Sequence, residues 1–113
     1  METLNADSIV ASITAALSNY PGRPHSDFYV GITNNLDQRL GEHRVTREDC
    51  PRIFHATNYD EAHFAESTLI NIHHMTGKVG GGAPDSVWVY CYEITDTTIE
   101  RMMHNNQILL SYA

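Results

Sequence analysis

Three short runs rich in β-branched and aromatic residues punctuate this chain, and the segments between them carry helical stripes. The runs are Phe28-Tyr29-Val30-Gly31-Ile32, Arg52-Ile53-Phe54-His55-Ala56-Thr57 and Val87-Trp88-Val89-Tyr90-Cys91-Tyr92, the last being the strongest strand signal. Such residues suit a pleated, half-buried surface. A period of two puts Phe28, Val30 and Ile32 on one face of the first run, and Tyr29, Gly31 and Thr33 on the other. Ile9, Ile13 and Leu17, joined by Val10 and Ala16, predict a helix over 8–18 with Asp7 as N-cap, stopped by Tyr20–Pro24. Thr33 or Asn34 is expected to cap a helix from Leu36 to Arg44, and Asn58-Tyr59-Asp60 to lead into one from Glu61 to His74. Thr97-x-x-Glu100 has the form of a capping box and predicts a last helix over 97–110 with Ile99, Met102, Met103 and Leu109. The pattern implies an α+β fold, a small three-stranded, mainly antiparallel sheet flanked by helices. At 113 residues the chain has room for one core and one domain, 1–113.

Two stripes contain residues that would ordinarily face water. Leu36, Arg39, Leu40 and His43 are spaced i, i+3, i+4, i+7, while Asp37, Gln38 and Glu42 fall on the opposite side. Glu66 sits within the stripe of Ala62, Ala65, Leu69, Ile70 and His73. An unpaired buried carboxylate costs several kcal/mol. Glu66 therefore needs a partner, and two are sensible: an ion pair with Arg39, or a divalent cation. A hard oxygen ligand supplemented by waters suits Mg²⁺ or Mn²⁺. Tyr29 shares its strand face with Gly31, whose missing side chain leaves room for a ligand or a close backbone approach.

Composition limits the partners. Fourteen acids against seven bases give a net charge of −7, where nucleic-acid binders commonly carry a basic surface. The imbalance is uneven: Arg39, Arg44, Arg47 and Arg52 face only Glu42, Glu48 and Asp49 within the same stretch. No apolar run reaches the roughly 20 residues of a membrane helix, and nothing reads as a secretory signal, so cytoplasmic residence is expected. Cys50 and Cys91 form no Cys-x-x-Cys pair and are expected to be reduced thiols. The seven histidines show no recognised metal-ligand spacing.

The stretch from Phe28 to His43, with Tyr29-Val30-Gly31, then Thr33-Asn34, Arg39 ten residues after the tyrosine and His43 four beyond, resembles the second half of the GIY-YIG nuclease motif. Ala65–Ile70 resembles the later helix whose glutamate binds the metal ion in that family, and the likeness spans residues 28–94. The resemblance implies a single GIY-YIG-like domain that hydrolyses DNA phosphodiesters with one divalent metal, Mg²⁺ or Mn²⁺, the helices over 8–18 and 97–110 being additions. It implies that Glu66 binds the metal, Arg39 clamps phosphate, Tyr29 sits at the nucleophilic water and His43 assists proton transfer. Gly31, Thr33, Asn34, Arg44 and Arg47 are then the expected substrate contacts. No Gly-Ile-Tyr tripeptide precedes Phe28. A permuted supply would fill the gap, with residues 87–94 as the missing first strand and either Tyr90 or Tyr92 as the second phenol. The sequence thus points to a metal-dependent endonuclease acting on DNA. The alternatives are a catalytically inactive nucleic-acid-binding module of the same fold and a protein-interaction module built on a buried polar network. A homo-oligomer would offer a route to a basic cleft shared between two chains.

Overall fold

Alternating side chains in the strands and single stripes on the helices divide the molecule into a sheet with two unlike faces. The computed structural model describes residues 2–80 and 82–100. In chain order the elements are β1 (Thr3–Leu4), α1 (Ala6–Leu17), β2 (Phe28–Thr33), α2 (Leu36–His43), β3 (Arg52–Ala56), α3 (Tyr59–Asn71) and β4 (Trp88–Glu93), with short 3-10 turns at His25–Asp27 and Arg47–Asp49. The fold is α+β. Its sheet has four strands in the order β1-β3-β4-β2, with β1 parallel to β3 and the other pairs antiparallel.

The fourth strand corrects the expected count of three. β1 is two residues long, too short to show a period of two, and its pairing with His55 and Ala56 spans half the chain. β4 lies between β3 and β2, so the segment expected to stand beside β2 does so, with Gly31 opposite Tyr90 and Tyr29 opposite Tyr92. Asn caps begin all three α-helices among the described residues: Asn5, Asn35 and Asn58 accept from the amides of Ser8, Gln38 and Glu61. Asp7, Thr33 and Asn34 do not fill that role. The capping box expected at Thr97 does not form, since residues 97–100 are turn and irregular backbone. The rest of the helix expected over 97–110, with Met102, Met103 and Leu109, lies outside the described residues.

Phe28, Val30, Ile32, Phe54, Ala56, Val89 and Cys91 meet Ile9, Ile13 and Leu17 of α1 and Ala62, Ala65 and Leu69 of α3 in an aliphatic layer. The opposite face presents Tyr29, Tyr90 and Tyr92 to Leu36 and Leu40 of α2, with Ile53 and Trp88 at its margin. A one-residue shift of register would exchange the two sets. Among the described residues no helix is long and apolar enough to cross a membrane.

Candidate functional site

The phenol-bearing face holds the polar centre. α2 runs over it because Leu36 and Leu40 are buried there, and the same stripe carries His43 to complete burial, at 0% exposure. His43 Nδ1 lies 2.5 Å from the Ile99 carbonyl oxygen and 2.8 Å from the Tyr92 hydroxyl, and Nε2 lies 2.7 Å from the Tyr90 hydroxyl. Tyr92 in turn donates to Glu100 Oε2 at 2.9 Å. The Tyr29 ring packs 4.7 Å from that of His43 and stacks 5.3 Å from that of Tyr92. Both Tyr90 and Tyr92 therefore reach His43.

Gly31 explains how Tyr90 fits. A Cβ at position 31 would run into the Tyr90 hydroxyl and lie 2.6 Å from its Cζ. The room opened by the missing side chain is thus filled by a phenol of the same protein.

Glu66 comes from α3 and is 2% exposed, as its place in the apolar stripe predicts. Among the described residues its Oε1 has no hydrogen-bond partner, and no ion pair joins it to Arg39. Burial pushes its pKa up to about 7, with the Gly80 amide and the Arg39 charge pulling weakly the other way. Arg39, with a side chain 26% exposed, is the most open member of the group; its Nε pairs with Glu42 Oε1 at 3.1 Å. It is close enough to Tyr90 to bond the phenol and lower its pKa somewhat.

The charges tell which groups can move a proton. Burial pushes the Tyr29 phenol up to about 12, with the Glu66 charge adding to the effect and Arg39 opposing it. Tyr90 is raised well above the usual phenol range by burial, and Tyr92 by burial and its bond to Glu100. The nearby cation does not make a phenolate of any of them, because desolvation outweighs it. His43 is lowered, chiefly by burial, so its ring is neutral near pH 7. The acceptor in this cluster is the imidazole.

Three of the remaining expected contacts, Thr33, Asn34 and Arg47, have partners of their own. The Thr33 hydroxyl accepts from the Asn35 amide at 3.0 Å, and Asn34 Nδ2 donates to Asp85 at 2.9 Å. Arg47 Nε donates to Asp37 at 3.0 Å. Arg44 ends α2 in the left-handed region, at φ 63°, and is exposed beside a cleft lined by Val45, Asp49, Glu93, Thr95, Thr97 and Thr98. Glu100 and the Ile99 carbonyl were not among the expected site residues. The only signal at Glu100 was the capping-box spacing, which pointed to a helix cap in place of the bond it accepts from Tyr92.

A divalent cation fits one feature of the site, a buried carboxylate oxygen with no partner among the described residues. Among those residues no three His, Cys, Asp or Glu side chains converge, so the protein would offer Glu66 alone, with waters completing the shell. No protein-family model, curated protein or solved structure matches this chain.

Proposed function

We propose that the chain is a metal-dependent endonuclease of GIY-YIG type that hydrolyses DNA phosphodiester bonds at the cluster of Tyr29, Arg39, His43, Glu66, Tyr90 and Tyr92. The observation that carries this reading is the unpartnered, buried Glu66 oxygen standing within electrostatic reach of Arg39, Tyr29 and Tyr90. A fold keeps a buried acid with one orphaned oxygen at a cost of several kcal/mol, which a bound cation would offset.

Glu66 would hold Mg²⁺ or Mn²⁺, which supplies Lewis-acid stabilisation of the leaving oxygen when bound. Arg39 presents its planar guanidinium at the open side and grips two phosphate oxygens as negative charge builds. Tyr29 orients the attacking water from beside the imidazole. The proton passes through a phenol to His43: Tyr90 already donates to Nε2, so it can take a proton from water as it gives its own away. Entry of a phosphate beside Glu66 requires a local opening, because the carboxylate is 2% exposed.

The test is to incubate the purified chain with plasmid and with single-stranded DNA, in Mg²⁺, Mn²⁺ or EDTA, beside Glu66→Ala and Arg39→Ala. Cutting that needs metal and falls at least about 100-fold in both variants is the expected result. Equal cutting by all three proteins would mark a contaminant and sink the proposal. The depth of burial favours a second reading, an inactive nucleic-acid-binding module, which predicts binding lost at moderate salt and no cutting.

A further inference from the structure

His43 is held by groups whose roles as donor or acceptor admit one assignment. A carbonyl can only accept, so the Ile99 contact places a hydrogen on Nδ1. The Ile99 amide also donates to the His43 carbonyl at 2.9 Å, so one residue clamps both ring and main chain. With Nδ1 protonated, Nε2 of the neutral ring must accept, and the Tyr90 hydroxyl donates to it. A carboxylate likewise only accepts, so the Tyr92 hydrogen points to Glu100 and the Tyr92 lone pair faces Nδ1–H. Hydrogens then run in one direction, from Tyr90 to His43 to Tyr92 to Glu100.

The groups facing the ring also fix its charge balance. Tyr29 from β2 and Tyr90 and Tyr92 from β4 are neutral phenols. Arg39 and Glu42 from its own helix oppose each other and are paired at 3.1 Å. Among the described residues Glu100 is the one acid joined to the ring through a hydrogen-bonded bridge.

We propose that Glu100, acting through Tyr92, and the Ile99 carbonyl are positioning groups for His43, fixing the tautomer that takes the Tyr90 proton and balancing the imidazolium that forms. The catalytic half of this inference rests on the nuclease reading. As the water oxygen bonds to phosphorus and the bond from phosphorus to the leaving oxygen breaks, the water gives a proton to the Tyr90 oxygen while Tyr90 gives its own to Nε2. The ring becomes a cation, Nδ1 keeps its hydrogen, and Glu100 remains a carboxylate. The proton returns by the same path to the released product. Orientation of an imidazole by an acid on its far nitrogen is an effective general device for proton transfer.

The experiment follows the His43 ring nitrogens by NMR against pH in the full chain, in wild type, Glu100→Gln and Tyr92→Phe, with plasmid cleavage rates in parallel. Wild type is expected to show the Nδ1–H tautomer. Glu100→Gln should keep that tautomer and its melting temperature, yet His43 should titrate at lower pH and kcat should fall about tenfold with KM unchanged. Tyr92→Phe should do the same, because it breaks the bridge. An Nε2–H tautomer in wild type, or the same titration point in wild type and Glu100→Gln, overturns the inference. Should wild type cut no DNA while the ring responds as stated, the nuclease reading falls and the positioning role stands.

Discussion

The two faces of the sheet use the same strands for opposite purposes. On the α1/α3 side, Phe28, Val30, Ile32, Val89 and Cys91 close against aliphatic side chains. One residue along each strand, Tyr29, Tyr90 and Tyr92 point to the other side, where their rings surround a fully buried histidine. The first face is held by area removed from water. The second gives up some of that stabilisation to desolvate an imidazole and phenols, and that expense raises three phenols and lowers one histidine. Period-two alternation alone separates a layer of aliphatic packing from a layer that buries phenols and an imidazole.

If the aliphatic face carries stability, Phe28→Ala should cost about 3–5 kcal/mol in denaturant unfolding, since Phe28 is fully buried and packs 4.9 Å from Tyr20. A loss below about 1 kcal/mol would break the comparison. Glu66→Gln tests the buried acid that α3 carries beside its aliphatic residues, with the opposite sign. The Glu66 carboxyl is raised from 4.5 to about 7. Both states are protonated below 4.5; between 4.5 and 7 the unfolded chain ionises while the folded one keeps its proton, so wild-type stability falls and then levels. Glu66→Gln should therefore match wild type in acid and exceed it by about 3 kcal/mol above pH 7. Millimolar Mn²⁺ should narrow that gap, and stability-against-pH curves with and without metal read it directly. His43 tilts the curve the other way: its lowered pKa gives stability present above its usual 6.5 and lost as pH falls.

Gly31→Ala sharpens the contrast within one strand. The new Cβ meets the Tyr90 ring, so the expected loss is about 1–3 kcal/mol, together with a weakened Tyr90–His43 bond visible in the imidazole resonances. An unchanged resonance would show that Tyr90 moves aside freely. Asp37→Ala, which removes the exposed partner of Arg47, should change stability by less than about 1 kcal/mol.

Strands β2, β3 and β4 and all three helices were legible because each has a run or stripe long enough to show its period. β1 was not, having two residues and a partner about fifty positions away. Capping asparagines were misplaced by one or two residues because Asp7, Thr33 and Asn34 are nearly as good N-caps as Asn5 and Asn35. Arg39, His43 and Glu66 were found by one physical rule, that a polar side chain on an apolar stripe is held there by something. That rule brings out residues on regular elements. It passes over Glu100 and the Ile99 carbonyl, which lie on irregular backbone and are joined to His43 only by tertiary folding. It also says nothing of Gly31, where the space a sequence leaves open is taken by a ring from the neighbouring strand.

The outer flank of β2 has its own consequence. Thr76 lies alongside it in a parallel bridge, exchanging bonds of 2.9 and 3.0 Å with the main chain at Val30 and Phe28, while its hydroxyl reaches Ser26. At the other end of the sheet, β1 offers only Thr3 and Leu4. A sheet fenced in this way makes a poor template for another strand, which protects it from lengthwise aggregation. A second copy or other macromolecule that docks along β2 would meet the Thr76 segment in place of the open peptide groups of Phe28 and Val30.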